Sequence, residues 1–134
     1  MSILPGANRE ENLLVTEEMA ITFLGLEAAR VLSTPRLIAL LEMASRNLIK
    51  EFLGPGEDSV GTLVNIRHLA ATPIGMHLRL RSEILSVERR RVMCRVDAWD
   101  DREKVGEGTH ERFVINVARF GERVRAKSAG QQGG

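Results

Sequence analysis

The sequence predicts a single α+β domain in which one long helix lies against a curved antiparallel sheet, and three observations carry that prediction. A helical apolar period runs over residues 33–52, the period changes to two from Val60 onward, and the alternating stretches are separated by short polar corners. At 134 residues the chain matches one domain of ordinary size, able to bury a modest core without metal or disulfide. No repeat, linker or change of composition divides it, so one domain is expected over residues 1–127, with a flexible tail over 128–134.

Taken in order, Glu11 to Leu24 mixes β-branched and acidic residues and reads as a strand followed by an irregular stretch. The helix comes next. Thr34 followed by Pro35 reads as an N-cap before a proline at the first helical position, where a missing N–H costs nothing. Leu37, Leu41, Ala44, Leu48 and Phe52 then recur at helical spacing, and Gly54-Pro55-Gly56 stops the run. Beyond it, Thr62, Val64, Ile66 and His68 share one face of a strand that breaks at Ala71-Thr72-Pro73-Ile74-Gly75. Met76 to Ile84 alternates cleanly, and the apolar phase then slips to Leu85 and Val87, as a bulge would cause. Val92 to Ala98 and Val105 to Arg119 complete four sequential strands, expected to form a meander. One helix covers little of so long a sheet, and the bare edges and apolar surface predict a homodimer paired edge to edge.

Charge and composition exclude several function classes. Lys plus Arg number 19 against 18 for Asp plus Glu, which gives no general attraction to nucleic acid or to an anionic membrane. With no tyrosine and 4% aromatic residues, base-stacking platforms are unsupported. The one cysteine, Cys94, excludes an internal disulfide, fits a reducing compartment, and falls in an apolar strand phase where an inert core thiol is expected. The N-terminus has no basic region followed by a signal-length apolar stretch, so the expected location is the cytoplasm. No Cys/His spacing suggests a metal, no Gly-rich loop opens a helix, and no serine sits in a nucleophile elbow.

One residue in the helix stands out. Glu42 lies between Leu41 and Met43 in the amphipathic run, where partial desolvation would make its carboxylate a stronger base than an exposed one. His68 shares the more apolar face of its strand and is expected to point towards the helix. Each has a plainer reading. Glu42 can pair with Arg46 four residues on, Thr34 can be a cap alone, and His68, like His77 and His110, can be a satisfied half-buried histidine. Arg112 can pair with Glu111 or Glu107, and Gly61, Gly75, Gly106 and Gly108 can mark strand bends.

Three stretches together change the balance: Thr34-Pro35 with Glu42; Val60-Gly61-Thr62 through His68-Leu69-Ala70-Ala71-Thr72-Pro73 and Gly75; and Gly108-Thr109-His110-Glu111-Arg112. In combination they resemble the fluoroacetyl-CoA thioesterase family of the hot-dog fold, over about residues 30–127. The resemblance implies a curved sheet wrapped around a central helix and hydrolysis of short acyl-CoA thioesters at a dimer interface. By motif position it implies that Thr34, Glu42 and His68 carry the chemistry, with Gly61 beside the thioester carbonyl and Arg112 as a supporting charge. Where the family has an aromatic lid, this chain reads Gly25-Leu26-Glu27-Ala28-Ala29-Arg30, with Phe23 the nearest aromatic, so fluoroacetyl selectivity is not implied.

The chemistry of a thioester fits those residue types. A thiolate leaves readily, so the site needs a nucleophile or a base that activates water, and a place for the oxyanion. Glu42 can serve as either, His68 can orient it, orient water or relay a proton, and the helix start at Thr34 favours developing negative charge. Coenzyme A is then part of the substrate and no cofactor is expected; Arg30, Arg36 or Arg89-Arg90-Arg91 are candidates for its phosphates. Thr34 and Glu42 lie about 12 Å apart along one helix, so the substrate lies between them, the chain folds back at Thr34, or the two act across the dimer. Two other functions use the same parts: a non-catalytic acyl-CoA binding protein, and a dehydratase or isomerase acting on the acyl chain.

Overall fold

The computed structural model describes residues 2–132. It runs β1 (Asn8–Leu14), α1 (Thr34–Lys50), β2 (Glu57–His68), β3 (His77–Glu88), β4 (Arg91–Trp99), β5 (Lys104–Asn116) and α2 (Val117–Gln132), with short 3-10 turns at Glu17–Met19 and Glu27–Ala29. The fold is α+β with a five-stranded antiparallel sheet, as the sequence predicts.

Helix α1 begins one residue earlier in its capping pattern than expected. Ser33, not Thr34, is the N-cap: its hydroxyl accepts from the Arg36 N–H at 3.2 Å, and Thr34 and Pro35 are the first two helical residues. The correction matters because a capping threonine would have spent its hydroxyl on the backbone. Thr34 keeps its hydroxyl for a side-chain partner. Downstream, Leu37, Leu41, Ala44, Ser45, Leu48 and Ile49 form the buried face. Leu37, Leu41 and Ala44 pack on Leu78, Leu80, Val96, Ala98 and Val105, while Leu48 and Ile49 join Ile84, Val92, Cys94 and Val114. Each such leucine contributes about 1.5–3 kcal/mol of burial, which fixes the helix lengthwise against the sheet. Phe52, expected in the last helical turn, falls just beyond it, half-buried.

The strand order is β1-β3-β4-β5-β2, which corrects the expected four-strand meander. β3, β4 and β5 do form one, with the expected bulge between Ile84 and Ser86. β2, however, pairs with β5 at the far edge instead of with its sequence neighbour β3. The reason lies in the connection 69–76, which passes the start of α1: the Leu32 N–H donates to the Thr72 carbonyl at 2.8 Å, Val31 bridges Pro73, and Gly75 takes a positive φ of 94°. That path carries the chain across the sheet, which a tight hairpin cannot do. β2 and β5 then press together so closely that a Cβ on Gly108 would stand 2.0 Å from the Asn65 carbonyl oxygen, so only glycine fits.

β5 ends at Asn116, not near Arg119. The Asn116 side chain accepts from the Arg119 N–H at 3.0 Å and α2 follows, helical through Gln132 where a frayed tail was expected. α2 is exposed along almost its whole described length, which is why no apolar stripe announced it. No helix is long and apolar enough to cross a membrane, among the described residues. β1 and β2 are the sheet's two edges, and on β2 Leu63 and Val64 remain 44% and 42% exposed.

Candidate active site

Two clusters line the seam between α1 and β2. Because α1 runs one way and β2 returns the other, the first residues of the helix meet the last of the strand. There the Thr34 Oγ1 and His68 Nδ1 lie 2.7 Å apart. They share the rim of an open cavity of about 610 Å³ with Ile21, Phe23, Val31, Leu69 and Ala70, apolar apart from this pair and Ser33. Burial pushes the His68 imidazole below its ordinary value, opposed in part by the Ala70 backbone, so the ring is neutral near pH 7. Its other nitrogen, Nε2, is buried with no hydrogen-bond partner among the described residues.

Two turns along α1, Glu42 faces the middle of β2 across a second, smaller hollow of about 340 Å³, which it lines with Met43, Arg46, Ser59, Gly61 and Arg112. Arg46, the alternative partner for Glu42, instead grips Asp58 through two hydrogen bonds of 2.6 and 2.9 Å. The Glu42 carboxylate makes no hydrogen bond or ion pair among the described residues. Gly61 leaves the gap beside it: a Cβ there would meet Glu42 Oε2 at 3.0 Å, His110 Cε1 at 3.1 Å and Arg112 Nη1 at 3.7 Å.

Arg112 is buried and held on three sides. Its Nε donates to the Ser59 hydroxyl at 2.7 Å, Nη2 to the Ser59 carbonyl at 2.5 Å, and Nη1 approaches His110 Nε2 at 3.2 Å. It makes no ion pair among the described residues. Burial lowers the Arg112 pKa, and the nearby carboxylates of Glu42 and Asp58 oppose that shift. The expected partners are engaged elsewhere, Glu111 with Arg91 and Thr62, Glu107 with Lys104.

The chain therefore brings Thr34 to His68, and Glu42 to Gly61 and Arg112, but does not bring the two sets together. Burial at these positions follows their neighbours, which no local pattern reports. His110, expected as a satisfied half-buried histidine, is instead fully buried at 0% exposure inside the Glu42 cluster; its place in the Gly108–Arg112 stretch is the one signal for it. His77 stays outside, exposed beside Asp101 at 3.6 Å, and Cys94 is a buried thiol whose pKa burial raises. Arg89, Arg90 and Arg91 line a separate hollow with Phe113 at the β3–β4 turn, and Arg30 is tied to the carbonyls of Glu17 and Ile21. Among the described residues no group of three or more His, Cys, Asp or Glu is placed to hold a metal ion.

The profile of the FlK family, described as fluoroacetyl-CoA-specific thioesterase, matches residues 15–118. The chain belongs to that family. It is 40% identical over 102 residues to the fluoroacetyl-CoA thioesterase of Streptantibioticus cattleyicolor, covering 76% of this chain and 73% of the relative. The solved structure of the fluoroacetyl-CoA thioesterase FlK superposes with a TM-score of 0.85 at 33% identity, over 95% of this chain and 98% of that one; a threonine-to-serine variant of FlK has been solved with acetyl-CoA. A thioesterase superfamily member from Thermus thermophilus superposes at 0.88 with 28% identity, over 98% of both chains. The fold is thus the hot-dog fold, and the family is one of thioester hydrolases.

Proposed function

We propose that this thioester hydrolase cleaves a small acyl-CoA in a cleft shared by two copies of the chain, using Thr34, Glu42 and His68. One observation carries the reading: each cluster is chemically incomplete alone. His68 Nε2 is buried without a partner among the described residues, and two turns away the Glu42 carboxylate faces an open hollow. The two ends are about 23 Å apart along β2, since Gly61 and His68 are separated by seven strand residues of about 3.3 Å each. An antiparallel two-fold pairing of β2 edges reverses one strand against the other, so the His68 end of one copy comes beside the Gly61 end of its partner. The exposed Leu63 and Val64 at the middle of β2 supply the apolar surface such a contact buries.

In that cleft Glu42 attacks the thioester carbonyl or takes a proton from the attacking water. In both routes the C–S bond breaks, the sulfur leaves as thiolate and is protonated, and water supplies the oxygen of the released acid. The Arg112 guanidinium beside Gly61 offers charge to the carbonyl oxygen. The Thr34–His68 pair positions water or relays its proton. Hydrolysis of a thioester requires no cofactor beyond the coenzyme A of the substrate, and the reading puts the enzyme in the cytoplasm, consistent with a lone buried thiol. The acyl group is short: FlK, by its description, acts on a two-carbon acyl-CoA, and the smaller hollow at Glu42 is the one lined by the attacking group. Selectivity for fluorine is not part of the proposal, since residues 25–30 lack an aromatic lid.

A panel of acyl-CoAs tests the reading. Release of free thiol is the expected result. An altered acyl chain on an intact thioester would make the protein a dehydratase or isomerase, and retention without turnover would make it a binding protein; either outcome ends the proposal.

A further inference from the structure

We infer that His110 is a positioning residue for the hydrolysis proposed above: it fixes the Arg112 guanidinium so that an unspent N–H faces the substrate hollow. The inference rests on that thioesterase reading, and on hydrogen-bond geometry that determines which nitrogen of His110 carries the proton. His110 Nδ1 lies 2.8 Å from the Leu63 carbonyl oxygen, which can only accept, so Nδ1 bears the hydrogen. Nε2 is then the bare nitrogen, and it faces Arg112 Nη1, which can only donate, at 3.2 Å. The imidazole thus joins a β2 carbonyl to the guanidinium through one fixed tautomer.

What the arrangement does for Arg112 follows by counting donors. A guanidinium has five N–H groups. Three are engaged, one with the Ser59 hydroxyl, one with the Ser59 carbonyl and one with His110. Two are left, one on each Nη, and that of Nη1 is on the side of Gly61, where Nη1 stands 3.7 Å from the place a side chain would fill. No carboxylate pairs with Arg112 among the described residues, so neutral groups alone hold its orientation. A buried cation steered by neutral acceptors keeps its full charge for an incoming oxygen, whereas a paired carboxylate would cancel it. His110 also holds the chain beside the Gly61–Leu63 bulge of β2, the point where the strand turns its backbone at the hollow.

The charged and titratable groups facing His110 are Arg112 on its own strand, Glu42 on α1 and Cys94 opposite it on β4. A proton on Nε2 would set two donors and two cations against each other, so the arrangement requires the neutral ring.

Two substitutions separate positioning from packing. His110→Asn can keep a donor to the Leu63 carbonyl, but its amide oxygen is too short to reach Arg112 from there; His110→Gln can place an acceptor near Nη1 but gives up the Leu63 bond. His110→Asn is expected to lower kcat/KM by about 10- to 100-fold, mostly in kcat, while His110→Gln retains more activity than His110→Asn. In an Arg112→Ala background, His110→Asn is expected to add less than about threefold, because a residue acting through Arg112 has nothing left to act on. Equal, independent losses in both backgrounds, or a wild-type kcat in His110→Asn, would overturn the inference. A wild-type enzyme inert towards every acyl-CoA would instead remove the thioesterase reading. Should neither variant fold, nitrogen NMR of the unaltered protein decides: the expected state is Nδ1 protonated and Nε2 bare, and the reverse tautomer overturns the inference.

Discussion

The two ends of the α1–β2 seam differ in how much of their hydrogen-bonding capacity is already used. At the helix start, Thr34 and His68 share one hydrogen bond at the rim of an open apolar cavity, and a buried nitrogen is left without a partner among the described residues. Two turns on, Arg112 is buried and gripped by three hydrogen bonds, with the Glu42 carboxylate unbonded beside it among the described residues. The first end is adaptable and can accept a partner; the second is set in advance. In the proposed reaction that division would serve catalysis, because a charge aimed beforehand at a developing oxyanion needs no reorganisation during the reaction, whereas proton transfer needs a group with a free lone pair or proton.

The sharpest way to break the comparison is to remove the free carboxylate of the rigid end. Glu42→Gln is expected to lower kcat/KM by about 10²- to 10⁴-fold with the thermal midpoint little changed, and His68→Ala to fall in the same range. A rate near wild type in either variant removes that residue from the mechanism. Mixing the two inactive proteins and allowing subunits to exchange then asks whether the ends work in one chain or across two. A shared site regenerates one intact centre in each mixed dimer, and random exchange returns about one quarter of wild-type activity; a site within one chain returns none.

A smaller effect is expected from Gly61→Ala. The added methyl would meet the Glu42 carboxylate at 3.0 Å and His110 at 3.1 Å, displacing the first more easily than the second. Steady-state kinetics should show a loss of about 10- to 100-fold with the fold intact. Unchanged kinetics would mean that the hollow is not where the thioester sits.

The smallest effect is on stability against pH. Burial lowers the folded-state pKa of both His68 and His110 from the ordinary 6.5. The unfolded chain therefore binds more protons than the native one below that value, so this contribution is complete above about pH 6.5 and is lost as pH falls through the folded values. Urea unfolding midpoints at pH 7.5 and 5.5 should differ in that direction. A midpoint that rises on acidification would contradict the burial of both rings.

How much of this was legible beforehand depended on whether the cause was local. The α1 period, the change to alternation and the phase slip near Leu85 are written in neighbouring residues, and each appears in the structure where expected. The place of β2 beside β5 was not, because it depends on where the 69–76 connection passes relative to α1, a long-range contact with no periodic trace. Helix α2 escaped for the opposite reason: an exposed helix needs no apolar stripe, although Asn116 three residues before Arg119 was a usable capping signal. At the site, the family resemblance implied Thr34, Glu42, His68, Gly61 and Arg112 as candidates, and the residues' own chemistry supported Glu42, His68 and Thr34 but gave Gly61 and Arg112 no role. That His110 stands in the Glu42 cluster depends on the β4–β5 and β2–β5 registers, where it lies opposite Cys94 and Val64.

If the proposed cleft is shared across the β2 edges, the exposed Leu63 and Val64 have a kinetic consequence. An enzyme whose reacting groups come from two polypeptides has no working centre when those polypeptides part, so its specific activity should fall on dilution and recover on concentration. Leu63 and Val64 would then set the protein level at which catalysis begins.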